Sequence, residues 1–133
     1  MTTFRLSATV LGTPDPRGLA AFYRELLGWD QLADEDKWVV LRPQGGGTGL
    51  SFQLEAEHVP PQWPASTGDQ QMQAHLDIAV DDLVAGVARA VELGAVEAEH
   101  QPQDDVRVLL DPAGHPPAGQ AFDPSQALVD RGS

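Results

Sequence analysis

The chain has 133 residues, enough for one ordinary domain or two small fused halves, and 41% of them are hydrophobic, which suffices for a core. Twenty acidic residues against eight basic ones give a formal net charge of -12, which argues against nucleic acid and against anionic membranes as partners. Cysteine is absent, so disulfides, thiolate nucleophiles and cysteine metal sites are excluded, a composition that fits a cytoplasmic protein. No apolar run approaches the roughly 18 residues of a membrane span, and Met1-Thr2-Thr3-Phe4-Arg5 does not open as a secretory signal.

In chain order, Phe4 to Leu11 alternates and is rich in β-formers, so it reads as a strand that Gly12-Thr13-Pro14 breaks. Asp15 caps a helix with Pro16 in its first turn, and Leu19, Ala20, Phe22, Tyr23, Leu26 and Leu27 recur at helical spacing up to Gly28. Trp29 to Leu32 is a short strand, Ala33 to Asp36 a turn, and Lys37 to Arg42 a strand with Trp38, Val40 and Arg42 on one face. Pro43-Gln44-Gly45-Gly46-Gly47 is a connection that lacks the Lys-Ser/Thr ending of a phosphate loop. Gly49 to Glu55 is a strand alternating Leu50, Phe52 and Leu54 against Ser51, Gln53 and Glu55.

Residues 56–71 form a long loop around Val59-Pro60-Pro61-Gln62-Trp63-Pro64, where Trp63 serves either a lid over a pocket or the cover of a core edge. Met72 to Val80 reads as a strand leading into the cap Asp81-Asp82 of a second helix, which Gly94 stops. Ala95 to His100 and Asp105 to Leu110 are strands, Asp111 to Pro116 a turn, Pro117 to Phe122 an edge strand, and residues 123–133 a tail.

The two halves match in order at an offset of about 66 residues. Strand, Asp15, helix and Leu27-Gly28 in the first half answer to strand, Asp82, helix and Leu93-Gly94 in the second, and each half continues with further strands. The predicted fold is α+β, with two βαβββ modules whose curved mixed sheets surround a central cleft. Module one covers about 4–55, the linker loop about 56–71, module two about 72–122 and the tail 123–133, within a single domain over 1–133.

Three stretches carry a family resemblance: Leu19 to Trp29 (LAAFYRELLGW), His75 to Leu83 (HLDIAVDDL), and Asp111-Pro112-Ala113-Gly114-His115-Pro116. With them the chain resembles the vicinal oxygen chelate superfamily, which includes glyoxalase I, extradiol dioxygenases and the bleomycin- and fosfomycin-resistance proteins. Val59-Pro60-Pro61-Gln62-Trp63-Pro64 and Gln70-Gln71-Met72 are similar to a glyoxalase-like subgroup. Enzymes of the superfamily hold a divalent metal with His and Glu, two ligands from each module, and the resemblance places those positions at Ala8, Gln53, His75 and Ala118. One good ligand, His75, and one neutral one, Gln53, fall short of the roughly three protein ligands of a catalytic metal. The resemblance therefore implies a cleft without a metal cofactor. The alternative is a divalent metal on His75 and Gln53, or on a site shifted to Gln120 or His100.

What this leaves is a small-molecule pocket, with His75, Gln53 and Gln120 as polar contacts and Trp38, Phe52 and Trp63 as its apolar walls. The competing role for Trp38 and Phe52 is the core. Asp77 shares a strand face with His75 by alternation and can orient its ring or cap backbone groups, and His58 and His115 fall in a loop and a turn. The expected function is binding of a small organic molecule without catalysis. The alternative is a lyase, isomerase or dioxygenase with an altered metal site. The resemblance also implies a homodimer.

Overall fold

Each helix is opened by an aspartate and closed by a glycine. The computed structural model of the chain describes residues 2–62, 65–71, 74–101, 106–114 and 120–123, the last four as backbone. Helix α1 (Pro16–Leu27) begins where Asp15 Oδ1 accepts from Gly18 N at 3.0 Å, satisfying one of the donors that a helix start leaves without a partner. Gly28 ends it in the left-handed region, at φ 70 and ψ 29, with its N–H donating to Arg24 O. Helix α2 (Leu83–Leu93) repeats the device, with Asp82 Oδ1 accepting from Ala85 N at 3.1 Å and Gly94 donating to the carbonyls of Ala90 and Val91. No helix among the described residues is long and apolar enough to cross a membrane.

Strands β1 (Ala8–Thr13), β2 (Asp30–Glu35), β3 (Trp38–Arg42) and β4 (Gly49–Leu54) form one mixed sheet in the order β1-β4-β3-β2, with β1 parallel to β4. Strands β5 (Asp77–Ala79), β6 (Val96–Glu97), β7 (Arg107–Leu110) and β8 (Gln120–Asp123) form a second in the order β5-β8-β7-β6, with β5 parallel to β8. The two orders are the same, so the repeat read from the sequence is a repeat of topology, and the fold is α+β with two βαβββ modules. The chain divides into two compact units, Met1–His58 and Val59–Ser133.

Several strand limits differ from expectation. β1 starts at Ala8 rather than Phe4 and runs through Gly12 and Thr13, because these two pair in parallel with Gln53 and Leu54. Phe4 and Leu6 are left 94% and 71% exposed. β2 continues to Glu35 past a register shift between Gln31 and Ala33, so the turn tightens to Asp36-Lys37. Arg17 of α1 holds that turn, pairing with Asp34 at 2.7 Å and with Asp36. The strand expected over Met72–Val80 shortens to Asp77–Ala79, because the ladder with β8 runs only from Ala121 to Asp123. Met72 and Gln73 lie outside the described residues, as do His115 to Gly119 and the tail beyond Asp123.

Packing in the first unit follows from register. Val39 pairs with Phe52 and Leu41 with Leu50, and all four are buried on the face of the sheet toward α1. There they meet Leu19, Ala20, Phe22 and Tyr23, the buried stripe of the helix. Tyr23 stacks on Phe52 with ring centroids 5.7 Å apart and meets Phe22 edge-on at 5.0 Å. Gly49 lets β3 and β4 approach, since a Cβ there would stand 2.4 Å from Leu41 O. In the second unit the buried apolar residues among those described are Ala90 of α2 with Ala95, Val108 and Leu109.

Candidate functional site

The alternate residues of the first sheet look away from α1. Trp38 pairs with Gln53 and Val40 with Ser51 across β3 and β4, while Gly12, Val10 and Ala8 of β1 pair with Gln53, Ser51 and Gly49. Residues paired in register share a face, so Trp38, Gln53, Val10 and Ala8 belong to one helix-free surface. Trp38 and Gln53, expected together in a pocket, are cross-strand neighbours. Phe52 is not with them. It is 0% exposed and stacked on Tyr23, so its assignment to a ligand pocket is corrected to the core. The physical reason is that its antiparallel partner is Val39 rather than Trp38.

Two acidic groups that were not singled out from the sequence join this surface. Glu55 continues β4, its N–H donating to Thr13 O at 2.8 Å, and its carboxylate accepts from Gln53 Nε2 at 2.9 Å. The Glu55 side chain lies over Gly12, where a Cβ would come within 2.8 Å of Glu55 Cγ. Glu35 is the register partner of Trp38 from the β2 side. The alternation Ser51, Gln53, Glu55 was the available signal for the first. For the second it was hidden by the register shift in β2. Together these groups present an aromatic surface beside an amide and carboxylates. That chemistry suits a molecule with an apolar body and hydrogen-bonding or cationic substituents.

In the second unit His75 precedes β5 and is exposed, and its Nε2 lies 3.1 Å from Asp77 Oδ1. Strand alternation is consistent with this pairing. The contact fixes the ring's direction by the carboxylate and occupies one of its two nitrogens. Gln120 opens β8, where its backbone pairs with Leu109, while Asp77 pairs with Ala121. Trp63, Ala118 and His115 lie outside the described residues. His58 is half-buried in the loop after β4, and His100 is exposed between β6 and β7.

The metal that the resemblance implies would draw its donors from positions 8, 53, 75 and 118, the last outside the described residues. Ala8 stands on the helix-free face of β1 and offers no donor atom. Gln53 occupies the matching place on β4 with a neutral amide whose nitrogen is given to Glu55. His75 Nε2 is engaged by Asp77. Within the first unit neither Ala8 nor Gln53 supplies the anionic or imidazole ligand that a hard or borderline cation prefers. Among the described residues no group of three or more His, Asp or Glu side chains is disposed to hold a metal.

A glyoxalase-like domain family model matches residues 8–118. A search of curated proteins found no match. Among solved structures, the trypanothione-dependent glyoxalase I of Leishmania major aligns at 17% identity and TM-score 0.64, over 98% of this chain and 93% of its own. An antibiotic-binding protein from a Streptomyces species aligns at 22% identity and TM-score 0.55, over 92% and 97%. A bleomycin resistance determinant encoded on the transposon Tn5 aligns at 21% identity and TM-score 0.55, over 90% and 96%. The family model spans both modules, and these likenesses share its fold; the chain belongs to the glyoxalase-like domain family of the vicinal oxygen chelate superfamily.

Proposed function

We propose that this protein binds a small organic molecule on the helix-free face of its sheet and does so without a catalytic metal. The carrying observation is the register that sets Trp38 beside Gln53, with Glu55 laid over Gly12, on the same face as Ala8, whose side chain offers no donor atom. Trp38 supplies apolar area at little conformational cost, and Gln53 and Glu55 supply directed polar contacts. Within the second unit, His75 held by Asp77 is a hydrogen-bonding group in its own right. Proteins that bind an antibiotic or confer bleomycin resistance share this fold, which supports a trapping role. A cysteine-free chain is consistent with work in the cytoplasm.

The test is a thermal-shift screen of aromatic and amine-bearing compounds, followed by titration calorimetry of the hits against Trp38→Ala and Gln53→Ala. Truncating a packed aromatic contact at a binding site costs about 2 kcal/mol, or roughly thirtyfold in affinity. Failure of every compound to stabilise the protein, or hits indifferent to both substitutions, defeats the reading. A homodimer belongs to the same proposal, and light scattering that gives a monomer across micromolar concentrations removes it.

A second reading has one observation in its favour. Glu55 brings a carboxylate next to Gln53, and a carboxylate there is the kind of ligand a lyase, isomerase or dioxygenase with an altered metal site requires. Elemental analysis of the purified protein, with thermal shifts in nickel, zinc, manganese and ferrous iron, separates the two readings. A bound metal in near-stoichiometric amount, lost in Glu55→Gln, replaces the first with the second.

A further inference from the structure

We infer that the first unit carries a further site for an organic anion, a phosphate or carboxylate on an apolar body, between the segment before β1 and the β3–β4 connection, at the end of the sheet away from Trp38 and Gln53. A cavity of about 990 Å³ lies there, lined by Arg5, Arg42, Ser7, Thr48, Phe4 and Leu6 together with Thr3 and the backbone of Gly46 and Gly47. Among the described residues no carboxylate lines it, in a chain whose net charge is -12. The inference does not depend on ligand binding around Trp38 and Gln53, which are not among its lining residues.

The arginines distinguish this place from the rest of the surface. Arg17, Arg24 and Arg89 each pair with a carboxylate. Neither Arg5 nor Arg42 forms an ion pair among the described residues. Asp30 is the register partner of Arg42, but the guanidinium turns to Ser7, donating to its carbonyl at 3.1 Å and to its hydroxyl at 3.0 Å. A guanidinium has five N–H donors in a rigid fork, so Arg42 keeps three for a ligand while the other two fix its plane.

The walls are held in place by backbone. Gly49 N donates to Ser7 O at 3.0 Å, and Thr48 Oγ1 donates to Leu6 O at 3.3 Å, tying the segment before β1 to the start of β4. Phe4 and Leu6 stay 94% and 71% exposed, so they offer apolar surface that a ligand can cover. Two guanidinium groups lining one cavity favour a planar or tetrahedral oxyanion, and the two apolar side chains favour a hydrophobic body attached to it.

The experiment is titration calorimetry on the full chain with phenylphosphate, benzoate, inorganic phosphate and benzylamine. Phenylphosphate or benzoate is expected to bind at least about tenfold more tightly than inorganic phosphate and than benzylamine. Arg5→Gln and Arg42→Gln are each expected to weaken that binding by about tenfold or more. Arg42→Gln also releases Ser7, but Arg5 holds no hydrogen bond in the wall, so Arg5→Gln tests the charge by itself. Trp38→Ala is expected to leave this affinity unchanged, and a loss there would assign the ligand to the other surface and overturn the inference. Absence of phenylphosphate and benzoate binding at millimolar concentration, equal binding of benzylamine, or affinity indifferent to Arg5→Gln each overturns it as well.

Discussion

Phe52 and Gln53 are neighbours in the chain and occupy opposite faces of β4, so replacing each with alanine tests the register on which the site rests. Phe52 is fully buried and stacked on Tyr23 at 5.7 Å. Removing a buried phenyl ring costs its transfer free energy plus the cavity it leaves, about 3–5 kcal/mol. Against a domain stability of about 5–15 kcal/mol this is a large share, and it corresponds to a fall in Tm on the order of 10 °C. Gln53 is exposed, and its side chain donates to the equally exposed Glu55 at 2.9 Å, so Gln53→Ala is expected to stay within about 0.5 kcal/mol of wild type. Urea unfolding followed by circular dichroism measures both, and a shift in midpoint at constant slope reports stability. Equal losses for the two variants, or a larger loss for Gln53→Ala, would mean that β4 presents its other face to α1. A slip of one residue exchanges every side chain between faces, so that result would remove Trp38 and Gln53 from a common surface.

Asp15→Ala and Asp82→Ala are each expected to cost about 1 kcal/mol by thermal unfolding, since each carboxylate satisfies one amide at a helix start. Equal small losses at both would bear on the repeat of the capping device, while no loss at either would count against the cap geometry. Gly28→Ala is expected to cost about 1–2 kcal/mol through its positive φ alone, because nothing lies within 4 Å of the added Cβ. Gly49→Ala is expected to cost more than Gly28→Ala in the same assay, because the added atom meets a backbone oxygen at 2.4 Å and β3 must move away from β4. The reverse order would refute the close approach of the two strands.

The helices were legible because their ends are encoded locally. Asp15-Pro16 and Asp82 supply caps within one turn, and Gly28 and Gly94 supply stops, so each signal sits beside what it controls. The strand ends were not, because pairing partners lie far away in the chain. Gly12 and Thr13 read as a break, yet they extend β1 because Gln53 and Leu54 arrive alongside in parallel. The same distance explains the error at Phe52. Alternation divides β4 into Leu50, Phe52 and Leu54 against Ser51, Gln53 and Glu55, but it does not say which set meets Trp38. Only the antiparallel register decides that, and it couples Trp38 to Gln53 and Phe52 to Val39. Two aromatic residues that both suit a pocket by composition are thereby sent to opposite faces.

Residue identity and residue arrangement also separate on the helix-free face around Ala8 and Glu55. That Ala8 brings no donor is legible from its side chain, whatever the strand does around it. That Glu55 reaches the same face is not, because its place depends on an atom that Gly12 lacks. A Cβ at position 12 would stand 2.8 Å from Glu55 Cγ, so the side chain's present path over β1 would have to shift with any other residue at position 12. The helix-free face therefore has its polar character set by a pair of residues that are distant in sequence and adjacent only across a parallel ladder. The ladder that sets Gln53 beside Gly12 and carries Glu55 on from β4 is thus what places an amide and a carboxylate on the same face as Ala8, which offers no donor of its own.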